Sequence, residues 1–266
     1  MKIATFNING VKARIEALTG WLETAQPDVA VLQEIKSVDE AFPREVFADM
    51  GYNVETHGQK GFNGVALLSK HPLEDVSRGL PGGEGAGRDG VDDEEARYIE
   101  ATVVGKTALR ICGLYLPNGN PAPGPKYDYK LRWMDRLRDR AAELVAEEQC
   151  ALITGDFNVI PQAEDAARPD AWRDDALFRI ETREAFRRVL NLGYTEAFRA
   201  CESGAGHYSF WDYQAGAWDR NDGIRIDHFL LTPQCADLLR NCWIEKDMRA
   251  GEKPSDHVPV WVDLDL

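Results

Sequence analysis

Carboxylates, amides, a phenol and a histidine lie at the ends of short apolar runs at several separate points of the sequence. In "ITGDFN", Asp156 and Asn158 come just after an apolar run. Side chains two apart on a strand share a face, so these two are predicted to converge on one ligand while Phe157 faces the other way. Taken singly, such a residue is most often a turn former or a helix cap. Repetition of the pattern favours a shared site. Its candidate residues are Asn7, Glu34, Tyr115, Asp156, Asn158, Asp227, Asp256 and His257.

The oxygen donors in this set suit a hard divalent cation. No thiolate accompanies them, so they fit Mg²⁺, with Mn²⁺ able to substitute, and do not fit a structural zinc. Because Mg²⁺ takes only one or two carboxylates directly, not every acid can be a ligand. The predicted metal ligands are Asn7, Glu34, Asp156, Asn158 and Asp256.

Asp227 and His257 form a candidate acid-base pair. A carboxylate that accepts one imidazole N–H fixes the tautomer and favours the charged ring. The alternative is an ordinary buried histidine beside a capping aspartate. The sequence contains neither a Gly-x-Ser-x-Gly motif nor a Gly-x-x-x-x-Gly-Lys-Ser/Thr phosphate loop, which argues against a serine hydrolase and a P-loop NTPase.

The elements that must position these residues are mostly short β-rich runs with helical patterns between only some of them. This arrangement predicts an α+β fold, with sheets in the middle and helices outside, in one domain over residues 1–266. The predicted strands are Ile3–Ile8, Val29–Gln33, Gly64–Leu68, Leu109–Leu116, Ala151–Thr154, Ile224–Leu231 and Val258–Val262. The predicted helices are Val11–Ala25, Tyr127–Glu148 and Thr182–Leu192.

Composition is that of a globular protein, with 44% hydrophobic and 29% charged residues and no apolar run that could span a bilayer. No signal peptide precedes the first strand, so a cytoplasmic location is expected. The five cysteines are scattered without a Cys-x-x-Cys pair, which indicates neither a disulfide framework nor a zinc cluster. The net charge of −14 argues, by itself, against a nucleic-acid partner.

Two segments are predicted to be irregular. Gly79 to Glu95 is rich in glycine and acids and is predicted to be a solvated, mobile surface excursion. Pro117 to Pro125, "PNGNPAPGP", follows a strand end and reads equally as an active-site loop or an ordinary connection.

Eight motifs, in order along nearly the whole chain, resemble the exonuclease III family of bacterial abasic-site endonucleases. These enzymes belong to the endonuclease/exonuclease/phosphatase superfamily. The motifs are "FNINGVKARI", "QPDVAVLQEIK", "GYNVETHGQKGFNGVALLSK", "GLYLPNG", "ITGDFN", "YSFWDY", "GIRIDH" and "KPSDHVPVW".

The resemblance implies a four-layer α/β sandwich, two mixed sheets packed face to face with helices outside. It implies that Glu34, helped by Asn7, is the main metal ligand and that Asp256 joins the metal or its water shell. Asp156 would act on the attacking water or on the leaving group, and Asn158 would orient the phosphate. Tyr115 and His257 would contact the phosphate, and Asp227 would orient the histidine.

The implied activity is Mg²⁺-dependent incision 5′ to abasic sites in duplex DNA, with 3′–5′ exonuclease and 3′-phosphodiesterase activities. The partner would be double-stranded DNA with abasic sites or 3′-blocked ends, with no membrane, and the enzyme is expected to be a monomer. The implied DNA-binding residues, several of which would line a pocket for the flipped abasic sugar, are Asn118, Phe210, Trp211, Ile224, Arg225 and Ile226. An aromatic and aliphatic cluster is more often plain core.

A local cluster of basic residues is one way in which a chain with a net negative charge could bind DNA. Lys126 to Arg140 carries six basic against three acidic residues, so this helix could contact phosphates, although such a pattern is usually a solvated face. The Gly79 to Glu95 segment is longer and more acidic than expected for the family, and the resemblance leaves its role open.

Two other functions share much of this residue set. One is a phosphodiesterase or phosphatase that acts on a small molecule or lipid; "GQKGFNGVALL" and "YSFWDY" favour the DNA enzymes over it. The other is a catalytically dead DNA-binding or scaffold protein, against which the full set of candidate catalytic residues counts heavily. The sequence leaves open which residue handles the attacking water, how many metal ions bind, and the ratio of the two nuclease activities.

Overall fold

The computed structural model describes residues 1–87 and 91–266; Arg88, Asp89 and Gly90, within the acidic segment, lie outside the described residues. Within these ranges, the strands form two six-stranded sheets. The first has the order β11-β12-β1-β2-β4-β3. Its strands are β1 (Lys2–Asn7), β2 (Val29–Gln33), β3 (Asn53–His57), β4 (Val65–Ser69), β11 (Leu239–Ile244) and β12 (Val260–Leu264). The second has the order β5-β6-β7-β8-β10-β9. Its strands are β5 (Leu73–Arg78), β6 (Tyr98–Val103), β7 (Leu109–Tyr115), β8 (Ala151–Asp156), β9 (Thr195–Glu196) and β10 (Asp227–Leu231).

Each sheet is mixed, with one parallel pair in its centre. β1 lies parallel to β2, and β7 lies parallel to β8. The neighbours of these pairs run antiparallel, for example β12 beside β1 and β10 beside β8. The carboxyl ends of the parallel strands therefore share an edge with the amino ends of β10 and β12.

The two sheets pack face to face through one apolar cluster. Val29 and Val31 of β2 belong to it, together with Ile111 of β7 and Leu152 of β8. Alternate residues of the same strands point outward, where Ala30 contributes to a second cluster beneath the helices. Because both faces are covered, the central strands are apolar at nearly every position.

Helices cover the outer face of each sheet, which confirms the four-layer α/β sandwich. α1 packs on the first sheet, and α3 and α4 pack on the second. None of the helices in the described parts of the chain is long and apolar enough to cross a membrane. The helices are α1 (Val11–Ala25), α2 (Arg44–Asp49), α3 (Pro125–Ala146), α4 (Ile180–Leu190), α5 (Ala197–Cys201) and α6 (Pro233–Ala236). Short 3₁₀ turns lie at Asp39–Ala41, Ala163–Asp165, Pro169–Trp172 and Lys246–Ala250.

The described residues of the acidic segment lie mostly at the surface, as predicted, and some of them also contact α3. The Asp93 carboxylate accepts hydrogen bonds from Arg136 Nη1 (2.5 Å) and Tyr129 Oη (2.8 Å). Arg136 also donates to the carbonyl of Pro81 (3.0 Å). Ion pairing with the helix supplies the stabilisation that the segment's few apolar side chains could not.

The same contacts change the interpretation of the basic residues of α3. Arg136 pairs with Asp93, and Arg140 pairs with Glu100 of β6 at 3.1 Å. Lys130 is fully buried. Much of the positive charge between Lys126 and Arg140 is thus engaged within the protein and is not available to DNA phosphates.

Candidate active site

Asn7 joins the two sheets at the edge where the four parallel strand ends meet. Its Nδ2 donates to Glu34 Oε1 at 3.0 Å and to Asp156 Oδ2 at 2.9 Å. Glu34 follows β2 of the first sheet, and Asp156 ends β8 of the second. One buried amide therefore connects carboxylates contributed by different sheets.

Asp156 is almost completely enclosed at this edge, with a side chain only 2% exposed. Its Oδ1 accepts the backbone N–H of Asn158 at 2.9 Å, and its Oδ2 lies 3.6 Å from His257 Nε2. Burial raises the pKa of Asp156 to about 7, and the charge of His257 opposes that rise. A carboxyl with a pKa near 7 can both take up and release a proton at neutral pH.

His257 is held between two carboxylates. Its Nδ1 lies 2.9 Å from Asp227 Oδ2, which also accepts a hydrogen bond from Ser209 Oγ at 2.6 Å. Phe210 packs edge-on against the imidazole with ring centroids 5.0 Å apart. Burial lowers the pKa of His257, but the charges of Asp227 and Asp156 outweigh it and raise the pKa to about 10. The ring is therefore an imidazolium at neutral pH.

Glu34 lies nearer the surface and faces a lysine. It has a positive φ of 50° just after β2, which turns its side chain into the site. Lys36 Nζ lies 2.8 Å from Glu34 Oε2 and donates to Asn9 Oδ1 at 2.5 Å. Burial raises the pKa of Glu34, but the hydrogen bonds and charge of Lys36 and the Asn7 amide outweigh it, so the pKa is lowered overall.

Asp256 lies at the rim and is connected to this group through Asn9 and Ser255. Asn9 Nδ2 donates to Asp256 Oδ1 at 3.2 Å. The preceding residue, Ser255, anchors the segment by donating from Oγ to the carbonyl of Asn7 at 2.7 Å. The "SDH" motif is thus fixed to the end of β1, with Asp256 on the solvent side and His257 inside.

Tyr115 lies opposite Asp156 in the register of β7 and β8. The guanidinium of Arg97 stacks 5.1 Å from the ring centroid and donates to the carbonyl of Tyr115 at 3.2 Å. Burial raises the pKa of Tyr115, and the charges of Glu34 and Asp156 raise it further. The phenol therefore remains protonated and can donate a hydrogen bond to an anion.

Asn158 reaches the site by a turn and not by the strand alternation that the sequence predicted. β8 ends at Asp156, and Asn158 has a φ of 48°. Its Nδ2 donates to the carbonyl of Leu116 (2.9 Å), and its Oδ1 accepts from Asn118 Nδ2 (3.2 Å). Phe157 does face the core, as predicted, and is 1% exposed.

The chemistry of the donors fits a hard cation near Glu34. The positively charged nitrogen of Lys36 already lies among oxygens of Glu34 and Asn9. The ligand atoms of Asp156, Asp227 and His257 also lie within 4.8 Å of one another. In that second group both imidazole nitrogens face carboxylates, which is the arrangement of an ion-pair chain. The Glu34 group is therefore the better cation site.

The structure leaves some of the residues predicted to bind DNA accessible and buries the others. Asn118 is exposed and Phe210 is half-buried beside His257. Ile224 and Ile226 are buried in an apolar cluster against which Phe210 packs. They support the wall of the site from behind.

Trp211 and Arg225 are not brought to the surface. Trp211 is fully buried and contacts Trp218 with ring centroids 4.9 Å apart. Arg225 is 1% exposed and pairs with Asp165 (2.8 Å) and Glu196 (2.9 Å). In this structure both residues stabilise the segments that carry Phe210 and Asp227.

Sequence reasoning missed two residues that support the site. Ser209 donates to Asp227, and the ammonium of Lys130 binds the backbone behind Asn158. Ser209 lies inside the quoted "YSFWDY" motif, but nothing local indicates its partner. Lys130 lies in a helix whose charge pattern indicated a solvated face.

Comparison with known proteins places this geometry among nucleases. The model of the Endonuclease/Exonuclease/phosphatase family matches residues 4–257. The chain is 36% identical over 275 aligned positions to exodeoxyribonuclease III of Haemophilus influenzae, covering 99% of this chain and all of that protein. An AP endonuclease structure from Archaeoglobus fulgidus superposes with a TM-score of 0.92 at 35% identity, over the full length of both chains. The 3′ phosphatase NExo from Neisseria, bound to a product DNA hairpin, superposes with a TM-score of 0.93 at 33% identity, again over both full lengths.

Proposed function

Because the chain belongs to the Endonuclease/Exonuclease/phosphatase family, we propose that it is a DNA repair nuclease that cuts 5′ to abasic sites in duplex DNA. The proposal includes 3′–5′ exonuclease and 3′-phosphodiesterase activities, Mg²⁺ as the cofactor with Mn²⁺ able to substitute, and action as a monomer. The observation that carries it is the buried Asp227–His257–Asp156 chain, joined through Asn7 to Glu34.

Binding of the phosphodiester would use the positive and donor groups of the site. His257 is held as an imidazolium, Tyr115 retains its phenolic proton, and Asn158 presents an amide. These groups are fixed before the substrate arrives, so they stabilise growing negative charge on phosphate without reorganisation. Electrostatic preorganisation is the largest contribution that this arrangement can make to the rate.

Proton transfer is assigned to Asp156. His257 has a carboxylate facing each ring nitrogen and is raised to a pKa of about 10, so it has no free lone pair to accept a proton from water. Asp156, with a pKa of about 7, can accept one. We therefore assign the attacking water to Asp156 and charge stabilisation to His257.

A divalent metal would be held by Glu34 with Asn7 and Asp256. When bound, the metal supplies Lewis-acid stabilisation of charge on the phosphate oxygens. In this structure the NH₂ group of Asn7 faces both carboxylates, so ligation through its Oδ1 requires the amide to turn over. Asp156 and Asn158, also predicted as ligands, are already hydrogen-bonded to protein groups and are assigned to proton transfer and phosphate orientation.

Recognition of a base-free sugar is assigned to the wall beside His257. Phe210 provides its accessible apolar surface, with Ile224 and Ile226 behind it. Asn118 is exposed next to Asn158 and can reach a phosphate oxygen. Arg225 and Trp211, which the resemblance implied as contacts, are assigned a supporting role because both are buried.

The proposal is tested with duplexes that contain one abasic analogue or none, with Mg²⁺ or with EDTA, resolved on a denaturing gel. We expect incision at the abasic position only when the metal is present. Absence of this product would rule out the abasic-site assignment. Hydrolysis of bis(p-nitrophenyl) phosphate without any DNA cleavage would support the small-molecule phosphodiesterase instead.

The role of Asp156 is tested by Asp156→Asn. We expect cleavage to fall by on the order of 10²-fold or more, because the variant cannot accept the water proton. The matched control is Asp139→Asn, an exposed carboxylate on α3 with a side chain 67% accessible, which should retain wild-type activity. Full activity of Asp156→Asn, with an unchanged circular dichroism spectrum, would refute this role.

A further inference from the structure

Lys130 is a fully buried lysine directly behind the phosphate-binding amides. It lies in the second turn of α3, between Tyr129 and Leu131 in sequence, and is 0% exposed. Its Nζ donates to the carbonyl of Asn158 at 2.6 Å and to the carbonyl of Asn118 at 3.0 Å. One ammonium therefore links the two loops that carry the site's amide side chains.

Burying this ammonium is costly, and its surroundings show what offsets the cost. Burial lowers the pKa of Lys130 to about 7, while the charges of Asp175 and Asp156 act in the opposite direction. An apolar side chain could fill the same volume without this desolvation penalty. An amine at this position therefore needs a reason other than packing, and its two hydrogen bonds to loop carbonyls supply one.

The loop is shaped around the lysine stem. Gly119 has a φ of 91°, and a Cβ added there would lie 2.7 Å from Lys130 Cδ. The turn after Asn118 can therefore close over the stem only with glycine. On the opposite side, Asn118 Nδ2 donates to Asn158 Oδ1 at 3.2 Å. The two loops are tied through their backbones by the ammonium and through their side chains by the amide pair.

We propose that Lys130 is a positioning residue for phosphodiester hydrolysis, fixing the Asn118 and Asn158 loops so that both amides face the same phosphate. It acts through these loops and does not touch the substrate. The proposal rests on the phosphate-binding role assigned to the two asparagines under the proposed function. It goes beyond that function because it places a required hydrogen-bond donor outside the site, on α3.

The test replaces Lys130 with Met, which keeps a long unbranched stem and removes the donor. The control is Met134→Ala, one helical turn further along α3, where a 1% exposed side chain belongs to the apolar core. Both variants should lose stability. Steady-state cleavage of the abasic duplex is measured for both, well below their unfolding temperatures.

We expect Lys130→Met to lower kcat about 10- to 100-fold with KM changed less than about threefold, since misplaced groups reduce turnover more than binding. Met134→Ala should leave kcat within about twofold of wild type. Equal kcat losses in the two variants, or a raised KM with unchanged kcat, would overturn the proposal. If Lys130→Met does not fold, Lys130→Leu, which also removes the donor, is measured against the same criteria.

Hydrogen–deuterium exchange separates this inference from the proposed function. Peptides that cover residues 117–120 and 157–160 should exchange faster in Lys130→Met than in Met134→Ala, whatever the substrate. Unchanged exchange in both peptides overturns the positioning role. The wild-type protein could fail to incise abasic DNA while the two peptides still exchange faster in Lys130→Met than in Met134→Ala. That result would overturn the proposed function and not the role of Lys130 in fixing the loops.

Discussion

The positive charge of His257 should depend on Asp227, and Asp227→Asn tests this dependence. The carboxylate oxygen lies 2.9 Å from imidazole Nδ1, and both side chains are almost completely buried. At that separation, an effective dielectric constant of about 20 gives an attraction of about 6 kcal/mol. Since about 1.4 kcal/mol corresponds to tenfold in a protonation equilibrium, losing it is enough to bring the pKa of His257 from about 10 into the neutral range.

The expected consequence is a loss of turnover. The amide of Asp227→Asn has the same shape and still offers an oxygen to the Nδ1 proton, so the ring should keep its place. A neutral imidazole no longer stabilises the negative charge that grows on the phosphate, so kcat near neutral pH should fall about 10²-fold or more. Binding of the DNA should change much less than turnover.

The assay pairs kinetics with long-range ¹H–¹⁵N spectra of the histidine rings, using His257→Gln to assign the signals. Ser209→Ala serves as the control, because it removes the 2.6 Å hydrogen bond to Asp227 but leaves the carboxylate charge. The ring should titrate near neutrality in Asp227→Asn and stay protonated well above neutrality in Ser209→Ala. A ring that remains protonated at alkaline pH in Asp227→Asn would refute the electrostatic argument, as would a kcat within threefold of wild type.

Three further perturbations follow from the structure. The pKa of His257 is raised from 6.5 to about 10 on folding, so its stabilisation is complete below pH 6.5 and is lost as the pH rises through about 10. Urea unfolding of the metal-free wild type should show this decline in the free energy of unfolding as the pH rises. An equally steep decline in His257→Gln would contradict the prediction. Gly155→Ala places a Cβ 1.9 Å from the Leu114 carbonyl oxygen at a φ of 147°, so it should cost more than about 3 kcal/mol of unfolding free energy in the same assay. Asp93→Asn removes the charged partner of Arg136, so a protease should cleave the acidic segment faster in limited proteolysis. An unchanged rate of cleavage would count against a stabilising role for this ion pair.

The central strands and the long helices could be predicted because their signals are local. The α1 and β2 ranges agree with the prediction, since each depends on an apolar pattern within one segment. The missed strands β3, β9 and β11 all lie at sheet edges, where one face is exposed and the apolar pattern is weak. The two flanks of the acidic segment have strand-like patterns and do form β5 and β6. Within β6, the local pattern could not show that Glu100 is buried, because its charge is neutralised by Arg110 and Arg140 from other elements.

Residue types identified the chemistry of the site, but not whether each side chain faces the site or the interior of the protein. Asp156 and Asp227 could be selected as acids at the ends of apolar runs. Arg225 could not be excluded as a DNA contact, because its partner Asp165 lies 60 residues away. Lys130 could not be included, because only the folded loops bring two carbonyl oxygens to its ammonium. Pairing between distant groups is decided by the packing of the layers, which no local pattern records.

The separation of the two sheets controls whether this site can form at all. Asn7 must reach a carboxylate on each sheet, so the gap between the sheets fixes both of its hydrogen bonds. Two residues before Tyr115, Gly113 lies against Val31 of the facing sheet, where an added Cβ would come within 2.6 Å of Val31 Cγ1. A larger residue there would push the sheets apart close to the catalytic edge. The absence of a side chain at Gly113 is therefore as necessary to the geometry of the site as the presence of the amide at Asn7.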